Sequence, residues 1–128
     1  MLTPEHAPAQ PWLLTLIFPS VLEETVVGHL LEHPEWASAF TLVRCEGHGQ
    51  EVALHGSEER VRGRSARLMA HVVLGFDEST RLLGHFAETV RSPHVFYWRM
   101  PLADAGRLCD FPAAGSQTSN GGDGWNSD

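Results

Sequence analysis

The sequence has little cysteine and no long apolar run near its start. Its two cysteines, Cys45 and Cys109, are too few for the disulfide scaffold that supports small secreted domains. The apolar run from Trp12 to Phe18 is short, ends at Pro19 and has no preceding Lys or Arg, unlike a signal peptide or a membrane span. We therefore expect a cytoplasmic protein with reduced thiols and no direct insertion into a membrane.

Basic residues are also scarce. The chain carries 9 Lys and Arg against 16 Asp and Glu, a formal net charge of −7, which argues against a nucleic-acid-binding surface. Four arginines nevertheless fall in one short stretch, and they form either a solvated strand edge or a site for an anion or a partner. These residues are Arg60, Arg62, Arg64 and Arg67.

Catalytic motifs are absent as well. The sequence has no Gly-x-Ser-x-Gly, no Walker phosphate loop and no paired carboxylates at a predicted strand end. Cys45 and His48 can be imagined as a nucleophile and its base, but nothing orients the histidine and the flanking glycines are too mobile for a preorganised site. We expect no enzymatic activity.

What is present is the composition of one globular domain. The 128 residues are 42% hydrophobic and 20% charged, which suits a single buried core. Residues 1–11 hold three prolines without an apolar period and predict a flexible arm. Residues 12–110 form the predicted domain. Residues 111–128 are rich in Gly, Ser and Asn and predict a disordered tail.

Four apolar or alternating segments predict strands, and two segments of helical period separate them. The strand segments read WLLTLIF, FTLVRCE, SARLMAHVVLGF and HVFYWRM. The first helix follows Ser20, which can form a capping box with Glu23, and the second runs from about residue 78 to residue 90. The histidines of these helices, His29, His33 and His85, are expected to be exposed.

The predicted order is β-α-β-β-α-β. With right-handed crossovers it gives an α+β, ferredoxin-like sandwich, a four-stranded antiparallel sheet with two helices on one face. The other face also needs a cover, because it would hold several large apolar groups, and self-association is the simplest one. The residues expected there are Thr15, Ile17, Met69, His71, Phe96 and Trp98.

Three short motifs within this arrangement resemble the PII-like (GlnB-like) signalling proteins, in particular a branch encoded beside heavy-metal efflux pumps. They are GHG at 47–49, EERVRGR at 58–64 and YWRMPLADAGRL at 97–108. The resemblance implies a regulatory homotrimer in which a T-loop-type segment, about residues 47–63, touches a partner such as a membrane transporter or its regulator. It also implies a ligand near the loop base, for which we predict Gly47, His48, Gly49, Gln50, Arg62 and Arg64.

The connection before the fourth strand departs from the PII pattern. PII proteins carry a glycine-rich loop with a lysine there, whereas this chain has only RSPH at 91–94. Because the backbone amides that would wrap a phosphate are missing, we predict that ATP binds weakly or not at all.

Cys45-x-x-His48 offers a different chemistry at the loop base. A thiolate and an imidazole suit Zn²⁺ or Cu⁺, and His55 or a neighbouring subunit could supply a further ligand. A bulged strand end, allowed by Gly47 and Gly49, explains the same residues without a metal. The corresponding alternative function is a CutA-like metal-binding protein without a regulated partner.

Overall fold

The computed structural model describes residues 10–48 and 64–116. Residues 1–9 of the predicted arm (1–11) and residues 117–128 of the predicted tail (111–128) lie outside this range. The regular elements are β1 (Trp12–Pro19), α1 (Glu23–Glu32), β2 (Phe40–His48), β3 (Arg64–Leu74), α2 (Phe76–Thr89) and β4 (Phe96–Pro101). Three short 3-10 turns accompany them, at Ser20–Leu22, Leu108–Asp110 and Ala114–Ser116.

The four strands form one antiparallel sheet in the order β2-β3-β1-β4. The two strands that precede the helices, β1 and β3, lie side by side in the centre, and β2 and β4 are the edges. This is the ferredoxin-like arrangement that the element order predicts, so the predicted fold class is confirmed.

The core lies between one face of the sheet and the two helices. Alternate residues of the central strands point into it, and the helices contribute residues three or four positions apart. The buried members are Leu14, Leu16 and Phe18 of β1, Leu68, Ala70 and Val72 of β3, Val26 and Leu30 of α1, and Leu82 and Phe86 of α2, none more than 5% exposed. The alternation of the strands and the helical spacing of apolar residues therefore both predict these core positions correctly.

The helix starts differ from the prediction. Ser20 begins a 3-10 turn, and among the described residues the N-cap positions of that turn and of α1, Pro19 and Leu22, make no side-chain cap hydrogen bond, so the predicted capping box is wrong. Helix α2 begins two residues earlier than predicted, at Phe76, with Gly75 at the N-cap. Phe76 is held there by the ring of Trp12, 4.8 Å away, and by the guanidinium of Arg99, 4.3 Å from its ring centre.

The second face of the sheet, here called the open face, is covered by none of the helices in the described residues. The register places Ile17 beside both Met69 and Phe96, and Thr15 beside both His71 and Trp98, as the sequence predicts. Five large apolar side chains of this face are 41–49% exposed, namely Val43, Val73, Phe96, Trp98 and Met100. A patch of this kind marks an interaction surface.

His29 and His33 both contact His85 where the C-terminal end of α1 meets α2, and the prediction that these three histidines are exposed is wrong. Nε2 of His33 lies 3.0 Å from Nε2 of His85. The ring of His29 lies 5.2 Å from that of His85. All three are partly buried, because the period that brings apolar residues to the helix interface also brings these positions to its edge.

Candidate functional site

The candidate site is the end of the sheet where β2 and β3 lead into the long connection between them. Pro19 ends β1 opposite Arg67, and His48 ends β2 opposite Arg64. Phe96 begins β4 opposite Ile17, so the α2–β4 connection reaches the same end. We call this the loop end. It brings together two segments that are more than 25 residues apart in the chain.

Arg67 joins these two segments. Its Nη1 donates a hydrogen bond of 3.1 Å to the carbonyl oxygen of His94, in the α2–β4 connection. The residue is only 3% exposed, so the interpretation of the arginine stretch as a solvated edge is wrong at this position. A buried guanidinium needs hydrogen-bond acceptors to offset its desolvation. The carbonyl oxygen of His94, which lies outside the strands of the sheet, is one such acceptor.

Cys45 and His48, the two predicted metal ligands of β2, lie three residues apart on a strand. Successive side chains of a strand alternate between its faces, so the two point to opposite sides of the sheet. His48 is exposed, with Nε2 3.7 Å from Oε1 of Glu46, whereas Cys45 is partly buried. His55, the predicted third ligand, lies outside the described residues.

Burial also affects the chemistry of Cys45. Desolvation raises the pKa of its thiol, and the charge of Arg67, its register partner on β3, offsets this only in part. Since the thiolate is the metal-binding and nucleophilic form, less of it is present at neutral pH. Among the side chains that the structure describes, no three His, Cys, Asp or Glu are placed to hold a metal ion together.

The predicted ligand-binding residues fall partly within the described range. Gly47 is buried near the end of β2, and His48 pairs in register with Arg64, the first residue of β3. Gly49, Gln50 and Arg62 lie outside the described residues. The structure thus brings the two flanks of the predicted T-loop-type segment together at its base, and the role of these residues in binding stays a prediction.

The α2–β4 connection contains a backbone feature that the sequence did not indicate. Arg91 has a positive φ of 53° directly after the last residues of α2, a helix-ending conformation for which glycine is favoured. Ser92 Oγ then accepts a hydrogen bond of 3.1 Å from the His94 amide. The connection is therefore an ordered turn that presents the Arg91 side chain to solvent.

A groove of about 740 Å³ runs from this turn between α2 and β4. The groove is wide at α2 because Gly84 and Ala87, which line it one helical turn apart, have small or no side chains. A Cβ atom added at Gly84 would meet no atom within 4 Å. Tyr97 and Arg99 of β4 form the opposite wall. The spacing of Gly84 and Ala87 on the helix is the signal in the sequence that could have indicated the groove.

Solved structures with the same architecture include PII-like proteins. CPII, a nitrogen regulatory PII-like protein from Thiomonas intermedia K12 that was solved with ADP, AMP and acetate, has a TM-score of 0.57 at 15% identity, covering 79% of this chain and 94% of its own. A putative PII-like signaling protein from Thermus thermophilus has a TM-score of 0.51 at 17% identity, covering 73% of this chain and 88% of its own. The chain therefore has a PII-like fold.

The family follows from the sequence match. The profile described as "Protein of unknown function (DUF3240)" matches residues 9–109, and the chain belongs to this family. A DUF3240 family protein from Shewanella baltica OS155 has a TM-score of 0.63 at 23% identity, and the match covers 79% of this chain and 99% of that one. No curated protein matches the sequence. None of the described helices is long and apolar enough to cross a membrane.

Proposed function

We propose that this protein is a trimeric PII-like regulator. In this proposal a small ligand at the loop end changes how the β2–β3 connection contacts a protein partner. The observation that carries the proposal is the hydrogen bond between Arg67 and the carbonyl of His94. It links the base of the β2–β3 connection to the α2–β4 connection, so a ligand that touches one segment biases the position of the other.

The open face supports the trimer. Trp98 and Met100 are each more than 40% exposed although they adjoin the centre of the sheet. Three copies around an axis would cover such a patch, and a closed ring would also protect the edge strands β2 and β4. A homotrimer places the loop end of one subunit beside its neighbour, where a ligand can contact both.

The proposed ligand is a small anion rather than ATP. The turn at residues 91–94 has no glycine or lysine, and Pro93 has no backbone N–H to donate to a phosphate. Arg91 nevertheless places an exposed cation at this turn. A mononucleotide, a carboxylate or bicarbonate needs fewer donors than a triphosphate. The protein acts by binding and not by catalysis in this proposal.

The proposed partner is a membrane transporter for metal ions, or the regulator of one. The acidic net charge of −7 makes nucleic acid a poor partner. A second candidate function is metal binding without a regulated partner, as in CutA-like proteins. The pairing of His33 with His85 favours this second candidate, because imidazole nitrogens are metal ligands.

Calorimetry with AMP, ADP, ATP and bicarbonate, followed by hydrogen exchange, tests the proposed function. We expect a small anion to bind, ATP to bind no more tightly than AMP, and the bound ligand to slow exchange both in residues 64–67 and in residues 92–95. Light scattering of the same samples should give the mass of three chains. Tight Mg²⁺-dependent ATP binding, or protection of only one of the two segments, would contradict the proposal.

A further inference from the structure

The histidine cluster between α1 and α2 has the features of a metal site. His29 lies in the last turn of α1, and His33 follows as the C-cap residue of that helix. His85 faces them from α2. These residues take no part in the loop end described above, and the proposed regulator does not require three imidazoles at this position.

The hydrogen bond from His33 to its neighbour Glu35 favours one tautomer of the imidazole. Nδ1 of His33 lies 3.1 Å from Oε2 of Glu35. A carboxylate only accepts hydrogen bonds, so Nδ1 carries the proton. In this tautomer Nε2 carries the lone pair, and it lies 3.0 Å from Nε2 of His85.

The distance between the two Nε2 atoms also fits an ion. It is 3.0 Å, and two imidazole nitrogens bound tetrahedrally to one Zn²⁺ lie about 3.3 Å apart. With this tautomer of His33, Nε2 of His85 is the donor of the hydrogen bond between the two rings. When that proton moves to Nδ1 of His85, both lone pairs point into the same gap, and an ion takes the place of the shared hydrogen.

We propose that His33 and His85, completed by His29, form a binding site for a divalent transition metal ion of the Zn²⁺ class. Glu35 is the outer carboxylate that orients His33, an arrangement common for metal-binding histidines. The site also lies at the C-terminal end of α1, where the helix dipole favours a cation.

His29 is the third ligand because its own bonding is incomplete. Its Nδ1 is buried and has no hydrogen-bond partner in the part of the chain that the structure describes. Oε1 of Glu32 is 3.9 Å from this nitrogen, beyond hydrogen-bond distance. The three nitrogens do not yet converge on one point, so binding requires the His29 ring to turn toward His85. Water completes the coordination, as in other open zinc sites.

The surroundings hold His33 in place for this role. The amides of Trp36 and Ala37 both donate hydrogen bonds to the His33 carbonyl, at 3.0 and 2.9 Å. The Trp36 ring stacks on the imidazole at 4.8 Å with an interplanar angle of 13°. A ligand whose rotamer is fixed by packing loses little entropy when the ion binds.

The test is a titration of the full chain with ZnCl₂, followed by calorimetry and by NMR of the imidazole nitrogens. The key variant is His33→Asn, whose side-chain amide keeps a donor toward Glu35 and removes Nε2. Glu35→Gln tests the outer carboxylate. The matched control is Cys45→Ser with His48→Ala, which removes the two candidate ligands of β2. Circular dichroism melting checks that each variant folds.

We expect Zn²⁺ to shift the ring nitrogens of His33 and His85 and the control variant to bind as the parent does. His33→Asn should weaken binding at least tenfold, and Glu35→Gln by about tenfold. Retained affinity in His33→Asn, or lost affinity in the control, overturns the proposal. If a variant fails to fold, the NMR titration of the parent protein is the test by itself. Ring nitrogens of His33 and His85 that do not shift with Zn²⁺ would then overturn the proposal. None of these outcomes depends on the trimer or on an anion at the loop end.

Discussion

Nη1 of Arg67 lies 3.1 Å from the carbonyl oxygen of His94, and the arginine that makes this bond is 3% exposed. The bond crosses from the second central strand of the sheet to the turn that precedes an edge strand. A charged donor on a buried carbonyl contributes more than a neutral hydrogen bond does. The α2–β4 turn is therefore fixed by a side chain that belongs to the base of the β2–β3 connection.

Replacing Arg67 with methionine should destabilise the protein by about 2 kcal/mol, because the carbonyl of His94 loses a charged donor while the apolar stem is retained. Urea unfolding followed by circular dichroism measures the change. The control is Arg44→Met. The exposed guanidinium of Arg44 is 3.7 Å from the carboxylate of Glu23, and its removal should lower the free energy of unfolding by less than about 1 kcal/mol. Equal costs for the two variants would contradict the structural role of Arg67.

Trp98→Arg should disrupt the trimer, because it places a charge in the middle of the apolar open face. Its neighbour Tyr97 provides the matched control. Tyr97 points to the opposite side of β4 and is more exposed, 56% against 41%, so Tyr97→Arg should leave the assembly intact. Light scattering at low micromolar concentration distinguishes the two. A trimer that survives Trp98→Arg would exclude the open face as the interface.

Cys45 should react with iodoacetamide more slowly than Cys109 near neutral pH. Burial raises the pKa of the Cys45 thiol, so less of the reactive thiolate is present, whereas Cys109 is exposed. The labelling rate of Cys45 should keep rising with pH beyond about 8.5, where an ordinary thiol is already half ionised. The variants Cys109→Ser and Cys45→Ser isolate the two rates, and faster labelling of Cys45 would show that its thiol is not desolvated.

Arg91→Gly should stabilise the fold by about 0.5–1 kcal/mol. The left-handed conformation costs a residue with a side chain about 1–2 kcal/mol, and glycine avoids this cost but loses part of the gain through its more flexible unfolded state. Thermal unfolding measures the difference. Arg91→Ala is the control, because alanine keeps the strain at φ 53° and should not stabilise. If Arg91 also contacts the anion, the glycine variant should bind it more weakly.

The sequence by itself determined the architecture. The alternation of Leu14, Leu16 and Phe18 on β1 and the helical spacing of Leu82 and Phe86 on α2 depend only on local periodicity and burial. Their order along the chain then leaves few ways to pair the strands. The same alternation predicts the open face, where Phe96 and Trp98 remain partly exposed.

Tertiary structure decided the features that depend on residues far apart in the chain. The bond from Arg67 to His94 and the contact of His33 with His85 join positions 27 and 52 residues apart, and no local period encodes such pairs. Each helix taken alone predicts exposed histidines, because its sequence does not show that His29 and His33 meet His85. The spacing of Cys45 and His48 predicts a shared metal site, because this spacing brings two ligands together in a turn. In a strand that runs to His48, the alternation of side chains separates them.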